Sequence, residues 1–215
     1  MSQPEIHSVL AIDDHPLFRK GVADLIGMEP SLQWVGEATN GQDGLALAKQ
    51  LNPDLILLDI NMKGMNGIET LKAIKKEEVD SLILMLTVSD NEDDVLSALR
   101  IGADGYLLKD MEPEDILASI RKALKGTLVI SERLTQLLAK ALRDEDKLSE
   151  QSETTTLTTR EQQILEQIAN GMSNKRIASE LGISEGTVKV HVKHLLKKLN
   201  LHSRTEAAVW ALRRL

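Results

Sequence analysis

Short runs of large aliphatic residues alternate with longer amphipathic stretches between residues 7 and 126. The runs are too short for independent helices and are typical of strands buried on both faces of a parallel sheet. The longer stretches repeat apolar residues at the three- and four-residue spacing of a helix. The pattern predicts strands at residues 9–12, 32–38, 55–59, 81–87 and 106–109. It predicts helices at residues 16–25, 41–51, 67–77 and 113–125, and a further helix that follows the fourth strand and ends at residue 101.

Five successive strand–helix units predict an α/β fold, with a doubly wound, five-stranded parallel sheet and right-handed crossovers. The carboxyl ends of the strands in such a sheet form the edge at which ligands bind. Five polar residues end or follow predicted strands and are therefore expected at that edge: Asp13, Asp14, Asp59, Thr87 and Lys109.

The carboxylates at this edge predict a Mg²⁺ site. Three carboxylates repel one another unless a cation joins them, and an all-oxygen set favours Mg²⁺. A carboxylate oxygen is also a competent nucleophile toward phosphorus, and an ammonium and a hydroxyl can hold phosphoryl oxygens. We therefore predict that Asp59 forms an acyl phosphate beside Thr87 and Lys109. A strand ending in aspartate often supplies only a cap or turn, so the prediction depends on the whole set.

Residues 157–215 carry helical patterns only. Thr158 followed by Glu161 is a capping-box signature, and the helix that it opens ends at a glycine. A short helix over residues 173–181, a glycine turn and a third helix after Ser184 predict an all-α helix-turn-helix domain. Apolar residues at helical spacing form the core face of the third helix. Its outward face carries Lys189, Val190, Lys193 and Lys197.

The charge of the chain is divided unequally. The chain has 215 residues and a net charge of −7, but the segment from Thr156 to Leu215 has ten Lys and Arg against five Asp and Glu. The tail is therefore +5 and the rest of the chain is −12. An acidic body with a basic tail suggests a signalling half and a half that binds a polyanion. The absence of cysteine fits a reducing compartment, and we expect the cytoplasm because no leader or membrane span is recognisable.

Residues 127–156 are expected to connect the two halves. Ser131 is a predicted N-cap of a connecting helix, and residues 144–156 are polar and non-periodic, as is typical of a flexible linker. The predicted organisation is thus one domain at residues 1–126, a connector at 127–156 and a second domain at 157–215.

Four motifs give residues 7–126 their resemblance to the receiver domain of bacterial two-component response regulators, a CheY-like fold. They are Asp13-Asp14-His15-Pro16, Asn61-Met62-Lys63-Gly64-Met65, Leu86-Thr87-Val88-Ser89-Asp90 and Gly105-Tyr106-Leu107-Leu108-Lys109-Asp110. The resemblance implies roles for seven residues: Asp59 as phosphoacceptor, Asp13, Asp14, Asp59 and the backbone carbonyl of Asn61 as Mg²⁺ ligands, Thr87 and Tyr106 as switch residues, and Lys109 as the phosphate-binding lysine.

Three positions qualify this resemblance. A lone tyrosine in a strand usually packs in the core, which favours a core role for Tyr106 over a switch role. Lys63 and Asp110 stand where the family often has proline. These two replacements concern loop stiffness and phosphoryl lifetime rather than the chemistry.

The second domain resembles the LuxR-type DNA-binding domain of the NarL/FixJ family. The matching motifs are Leu157-Thr158-Thr159-Arg160-Glu161, Ser173-Asn174-Lys175-Arg176-Ile177-Ala178 and Thr187-Val188-Lys189-Val190-His191-Val192. The resemblance implies that the helix over 185–200 is the recognition helix in the major groove. Lys189, Val190 and Lys193 would then face base edges. Phosphate contacts are expected from Lys175, Lys197 and Lys198.

The two resemblances together imply a transcription regulator. A sensor histidine kinase would phosphorylate Asp59, and the regulator would bind promoter DNA as a homodimer, with RNA polymerase as a possible further partner. The motifs are closest to those of regulators of nitrate- and nitrite-responsive anaerobic respiration genes. No enzymatic activity is expected apart from self-phosphorylation and slow self-dephosphorylation at Asp59.

Other functions remain open at this point. A LuxR-type regulator that senses a small ligand is the main alternative, but such pockets usually contain aromatic residues, which form only 2% of this chain. An aspartyl-phosphate phosphatase would favour a second carboxylate at position 61, where Asn61 stands. A flavin or nucleotide domain lacks its glycine-rich turn. His191 and His194 lack a third metal ligand nearby in the sequence.

Overall fold

The computed structural model describes residues 6–77, 79–88, 92–125, 129, 157–201 and 203–212. The strands are β1 His7–Ile12, β2 Leu32–Ala38, β3 Leu55–Asp59, β4 Leu82–Thr87 and β5 Gly105–Leu108. The helices are α1 Pro16–Gly27, α2 Gly41–Leu51, α3 Gly67–Lys76, α4 Glu92–Ile101, α5 Pro113–Leu124, α6 Thr159–Ala169, α7 Asn174–Leu181, α8 Glu185–Lys198 and α9 Arg204–Leu212. The predicted helix after Ser131 and the predicted linker at 144–156 lie outside the described residues.

The five strands form one parallel sheet in the order β2-β1-β3-β4-β5, which confirms the predicted α/β fold. The side chains of β3 from Leu55 to Leu58 are completely buried, as expected for a central strand covered on both faces. Ile12 of β1 pairs with Leu58, and Leu86 of β4 pairs with Asp59. The carboxyl ends of β1, β3 and β4 therefore lie side by side.

Helices cover both faces of this sheet. On one face, α2, α3 and α4 pack against the sheet, and on the other face α1 and α5 do so. Both layers are built almost entirely of aliphatic side chains, because the chain has few aromatic residues. Asp104 precedes β5 at the opposite, amino-terminal edge of the sheet, where its Oδ2 accepts a hydrogen bond from the backbone N–H of Ile83.

The helices α6 to α9 surround a separate core. Thr158 and Glu161 form the predicted capping box of α6, and Ser173 and Ser184 cap α7 and α8. Sequence reasoning missed α9, although Ser203 and Glu206 have the capping-box spacing and the Glu206 N–H donates to Ser203 Oγ. Among the helices that the structure describes, none combines the length and apolar character needed to cross a membrane.

The last helix also packs against the first half of the chain. Val209 of α9 is 1% exposed and belongs to the core layer that includes α4. Thr205 Oγ1 donates a hydrogen bond of 3.0 Å to the carbonyl oxygen of Ala103, which follows α4. The two halves are therefore in direct contact, and the contact lies at the carboxyl end of α4.

Candidate functional site

Asp59 is the last residue of the central strand and is 1% exposed. Its Oδ1 accepts a long hydrogen bond of 3.3 Å from the backbone N–H of Asn61. A Cβ atom at Gly67 would lie 2.1 Å from the Asp59 carbonyl oxygen, so only glycine lets the first turn of α3 approach the strand end this closely. The strand and this close approach together fix the position of the carboxylate.

Asp13 and Asp14 follow β1 and reach the same edge. The Asp13 N–H donates to the Ala38 carbonyl of β2, which extends the sheet ladder by one residue and leaves Asp13 1% exposed. Arg19 of α1 donates from Nη1 to the Asp13 carbonyl oxygen at 2.8 Å and is itself buried. Sequence reasoning did not identify Arg19, although an arginine one turn into α1 faces the start of that helix.

Lys109 follows β5 and extends across this edge to the carboxylates. Its Nζ lies 2.7 Å from Asp13 Oδ2 and 2.9 Å from Asp59 Oδ2, and its side chain is only 7% exposed. The ring of Phe18 lies beneath the ammonium, with its centroid 4.9 Å from Nζ, which is a favourable cation–π distance. The structure thus brings the predicted lysine and two predicted carboxylates into one buried ion-pair network.

Four side chains of this pocket could hold a metal ion. One ligand atom from each of Asp13, Asp14, His15 and Asp59 lies within 4.8 Å of all the others. Asp13 Oδ2 and Asp59 Oδ2 are buried and accept no hydrogen bond of regular geometry, although both are ion-paired with Lys109. Carboxylate oxygens with spare acceptor capacity fit a hard cation such as Mg²⁺. His15 is the member of this set that sequence reasoning did not select as a ligand.

Thr87 and Tyr106 lie on the strands next to this pocket. Thr87 ends β4, is 1% exposed, and its carbonyl oxygen accepts a hydrogen bond of 2.7 Å from the Lys109 N–H. Tyr106 is 6% exposed and packs in the core layer formed with α2, α3 and α4. This position agrees with the core role that its place in a strand favours.

The predicted DNA-binding residues lie on α7 and α8 of the second half, and most of them are exposed. In α8, Val188, Val192 and Leu195 are buried, and Gly182 makes the preceding turn at φ +63°. The outward residues were correctly placed on the opposite side of the helix. The exposed members of the predicted set are Lys175, Lys189, Val190, Lys193 and Lys197.

Lys198 has a different environment from the other predicted lysines. Its Nζ donates to Glu161 Oε2 at 2.7 Å, which ties the end of α8 to the start of α6. Glu161 is 4% exposed, and the hydrogen bond from Lys198 lowers the pKa of this carboxyl to about 2. Thr158 also donates to the same oxygen from its N–H and its hydroxyl. Lys198 therefore has a structural partner within its own domain.

Lys189 of α8 contacts the first half of the chain. Its Nζ donates to Oδ2 of Asp80, 2.5 Å away, just before β4, and also lies 3.7 Å from Glu185 Oε1. The hydrogen bond to Asp80 raises the pKa of the Lys189 ammonium. A cleft of about 880 Å³ lies beside this contact and is lined by residues of both halves, including Lys175 and Arg176. One predicted base-reading residue is thus engaged by an acidic side chain of the other half.

Comparison with protein families identifies both halves. The model described as "Response regulator receiver domain" matches residues 9–121. The model described as "Bacterial regulatory proteins, luxR family" matches residues 155–211. The receiver match disfavours the alternative in which the first half senses a small ligand.

Curated relatives match nearly the whole chain. The nitrate/nitrite response regulator NarL of Escherichia coli K12 is 53% identical over 98% of this chain and 97% of its own length. NarP of the same strain is 47% identical over 94% of this chain and 92% of its own. A nitrate/nitrite response regulator homolog of Haemophilus influenzae is 45% identical over 94% of both chains. The motifs predicted NarP as the better match of the two E. coli regulators, but the identity to NarL is higher, 53% against 47%. Both regulators carry the nitrate/nitrite description that the motifs predict.

The solved structures that resemble this chain are also response regulators. The response regulator ChrA of a heme-sensing two-component system is 32% identical, with a TM-score of 0.52, covering 99% of this chain and 98% of its own. The receiver domain of a NarL protein from Mycobacterium tuberculosis is 38% identical, with a TM-score of 0.55, and covers 57% of this chain and 99% of its own.

Proposed function

Because this chain belongs to the NarL/FixJ family of response regulators, we propose that a sensor histidine kinase phosphorylates Asp59 and thereby controls promoter binding. We assign residues 1–126 to the receiver, 127–156 to the connector and 157–215 to the DNA-binding domain. The observation that carries the proposal is the buried network in which Lys109 Nζ lies 2.9 Å from Asp59 Oδ2 and 2.7 Å from Asp13 Oδ2.

The phosphoryl transfer follows from this network. An Asp59 carboxylate oxygen attacks phosphorus, the bond from phosphorus to the donor nitrogen breaks, and the nitrogen takes a proton. Lys109 then pairs with a phosphoryl oxygen instead of the free carboxylate. Mg²⁺, held by Asp13, Asp14, Asp59 and the backbone carbonyl of Asn61, would neutralise phosphoryl charge when bound. Arg19 keeps the Asp13 loop in place through its hydrogen bond to the Asp13 carbonyl.

The signal would travel through the helix that follows Thr87. Thr87 closes β4, and we assign its hydroxyl to the phosphoryl group, with Tyr106 adjusting in the core behind it. The far end of α4 lies against α9 through the hydrogen bond from Thr205 to Ala103. A shift of α4 would therefore loosen the contact between the two halves.

The unphosphorylated receiver would partly cover the DNA-binding domain. The receiver half has a net charge of −12 and the other half +5, and Lys189 is already held by Asp80. Release of this contact would free Lys189, which together with the exposed Val190 and Lys193 would face base edges. Lys175 and Lys197 would meet phosphates. Lys198 belongs to the same set, but its bond to Glu161 leads us to expect a smaller contribution to affinity.

We further propose that the input is nitrate or nitrite, because the regulators NarL and NarP carry that description. The active form would be a homodimer on DNA in the cytoplasm, where promoters and RNA polymerase are found. Its only chemistry of its own would be self-phosphorylation and slow self-dephosphorylation at Asp59.

Incubation of the purified chain with phosphoramidate and MgCl₂, followed by intact-mass and peptide mass spectrometry, tests the proposal. We expect one phosphoryl group on the peptide that contains Asp59, and none in the Asp59→Asn variant. Asp54→Asn is the matched control, since Asp54 precedes the same strand at its other end and bonds to Ser8. Phosphoryl uptake by Asp59→Asn, or its absence from the wild type, would refute the assignment.

A further inference from the structure

The imidazole of His15 lies among the three carboxylates of the Asp59 pocket. Its Nδ1 is 3.0 Å from Asp14 Oδ1, 3.2 Å from Asp13 Oδ1 and 3.5 Å from Asp59 Oδ2. Two ligands that bind one metal at about 2.1 Å lie about 3.0 Å apart when they are at right angles and about 3.4 Å apart at a tetrahedral angle. The three distances from Nδ1 therefore correspond to the edges of a single metal coordination shell.

The side-chain contacts of this imidazole lie in the pocket: Nδ1 is within hydrogen-bond distance of Asp13 Oδ1, at 3.2 Å, and of Lys109 Nζ, at 3.5 Å. His15 is the N-cap of α1, a position at which a side chain usually accepts a hydrogen bond from the helix, but its side chain makes no such bond. Its backbone N–H donates to Asp13 Oδ1 at 2.8 Å, which holds the residue against the pocket. Pro16 then fixes the start of α1. The side chain is thus directed to the carboxylates by the backbone on both sides of it.

The pocket itself has unused ligand capacity. Asp13 and Asp59 are each 1% exposed, and an oxygen of each, Oδ2, accepts no hydrogen bond of regular geometry. The Lys109 ammonium compensates part of their charge but leaves lone pairs available. These buried oxygens, one of which lies 3.5 Å from His15 Nδ1, have spare acceptor capacity that fits a bound cation.

We propose that His15 is a metal ligand of this pocket and that it gives the site a preference for imidazole-binding ions over Mg²⁺. The inference rests on the proposed function, because it concerns the cation of the Asp59 site. Carboxylates alone suit Mg²⁺, whereas a neutral imidazole nitrogen adds affinity for Co²⁺ and Zn²⁺ and almost none for Mg²⁺. The chain would therefore bind transition ions at this site more tightly than an all-oxygen pocket does.

Metal titration of the full chain tests this inference without any phosphorylation assay. Isothermal titration calorimetry with MgCl₂ and with CoCl₂ gives two dissociation constants, and the visible absorption of bound Co²⁺ reports nitrogen ligation. We expect His15→Gln and His15→Ala to weaken Co²⁺ binding by about tenfold or more and to change its spectrum. Mg²⁺ affinity should change less than about twofold.

The variants are interpretable because of where His15 lies. The side chain is 58% exposed, so its replacement removes little packing, and circular dichroism verifies the fold. His191→Gln is the matched control, since this histidine lies on α8 and has His194 as a neighbour. It should bind Co²⁺ as the wild type does.

Metal binding by the variants and by the wild type distinguishes failure of His15 ligation from failure of the Asp59 pocket as a cation site. Unchanged Co²⁺ affinity and spectrum in both His15 variants, or their loss in His191→Gln, would overturn the inference and leave the Asp59 assignment intact. Failure of the wild type to bind either ion would overturn both, because the pocket would then not be a cation site.

Discussion

The Asp59 pocket and the outward face of α8 both depend on lysines, but the two lysines are held in opposite ways. Lys109 is 7% exposed and lies between two buried carboxylates of its own domain. Lys189 is 42% exposed, and its partner Asp80, on the other domain, is 68% exposed. Breaking a buried pair leaves an uncompensated charge, whereas an exposed pair contributes about 0–1 kcal/mol.

The difference in burial matches the different functions proposed for the two lysines. The pocket needs a fixed geometry before the phosphoryl donor arrives, and buried charges provide it. The contact that covers α8 has to open, and a solvated ion pair is easily replaced by DNA phosphates and bases. Lys198, 35% exposed and bonded to the buried Glu161, lies between these two cases.

The largest effect is expected at the pocket. Lys109→Ala should slow phosphoryl uptake from phosphoramidate about 10²- to 10³-fold, as loss of a buried charge-stabilising donor does in enzymes. The rate is measured by intact-mass spectrometry over time. Lys189→Ala should leave the rate unchanged. If Lys109→Ala took up phosphoryl groups as fast as the wild type, Lys109 would have no role in phosphoryl transfer.

The Lys198–Glu161 pair, the intermediate case, is tested by the free energy of unfolding of the DNA-binding domain. Glu161→Gln should destabilise the DNA-binding domain by about 1–3 kcal/mol, because the variant weakens a charged hydrogen bond and leaves buried donors poorly paired. Urea denaturation followed by Trp210 fluorescence in a Trp34→Phe background measures this domain. Lys198→Ala should be destabilised as well, and a double variant that loses the sum of both effects would show that the two residues are not coupled.

The same carboxyl predicts a pH dependence. Glu161 has a folded-state pKa of about 2 against an ordinary value of 4.5, so its ionised form stabilises the fold. This stabilisation is fully present above the ordinary value and is lost as the pH falls from there toward the folded-state value. The difference in urea midpoint between wild type and Glu161→Gln should therefore shrink below pH 4.5. A difference that grows on acidification would contradict this sign.

A smaller effect is expected on the DNA-binding face. Lys193→Ala should weaken binding to a selected DNA site about tenfold, because an exposed lysine of the recognition helix loses its base or phosphate contact. Fluorescence anisotropy with DNA selected from a random pool by the phosphorylated protein measures it. Lys72→Ala, which removes an exposed lysine of α3, is the control because it changes the net charge by the same amount. An equal loss of DNA affinity in Lys72→Ala would show that the effect of Lys193→Ala comes from net charge alone.

The smallest effect concerns the contact between the halves. Asp80→Asn should raise the DNA affinity of the unphosphorylated protein about two- to fivefold, since an exposed ion pair is weak. Asp24→Asn, which removes an exposed carboxylate of α1, should not. If Asp80→Asn had no effect at low salt, where surface pairs are strongest, the contact would not restrain α8.

The pocket was predictable because its members occupy strand ends. A parallel sheet places the residues after β1, β3 and β5 at one edge, so Asp13, Asp59 and Lys109 could be brought together from the strand pattern alone. His15 and Arg19 were missed because their roles depend on the direction of the first turn of α1. That direction is set by packing and is not visible in the hydrophobic pattern.

The contact between the halves was predictable only in outline. The opposed charges suggest attraction, but they do not select Asp80 from the many acidic residues of the receiver. The bond from Thr205 to Ala103 joins residues 102 positions apart and depends on α9, which was not predicted. Likewise, the bond from Lys198 to Glu161 depends on how α6 and α8 pack, and a helical pattern does not specify that.

DNA binding by the wild type and Asp59→Asn, each with and without phosphoramidate and MgCl₂, tests the central claim most directly. Anisotropy titration with the selected DNA site gives four dissociation constants. Phosphorylation should tighten binding by the wild type and leave Asp59→Asn unchanged. Equal affinity of the two wild-type forms, or the same gain in Asp59→Asn, would contradict control of the DNA-binding helix by phosphorylation at Asp59.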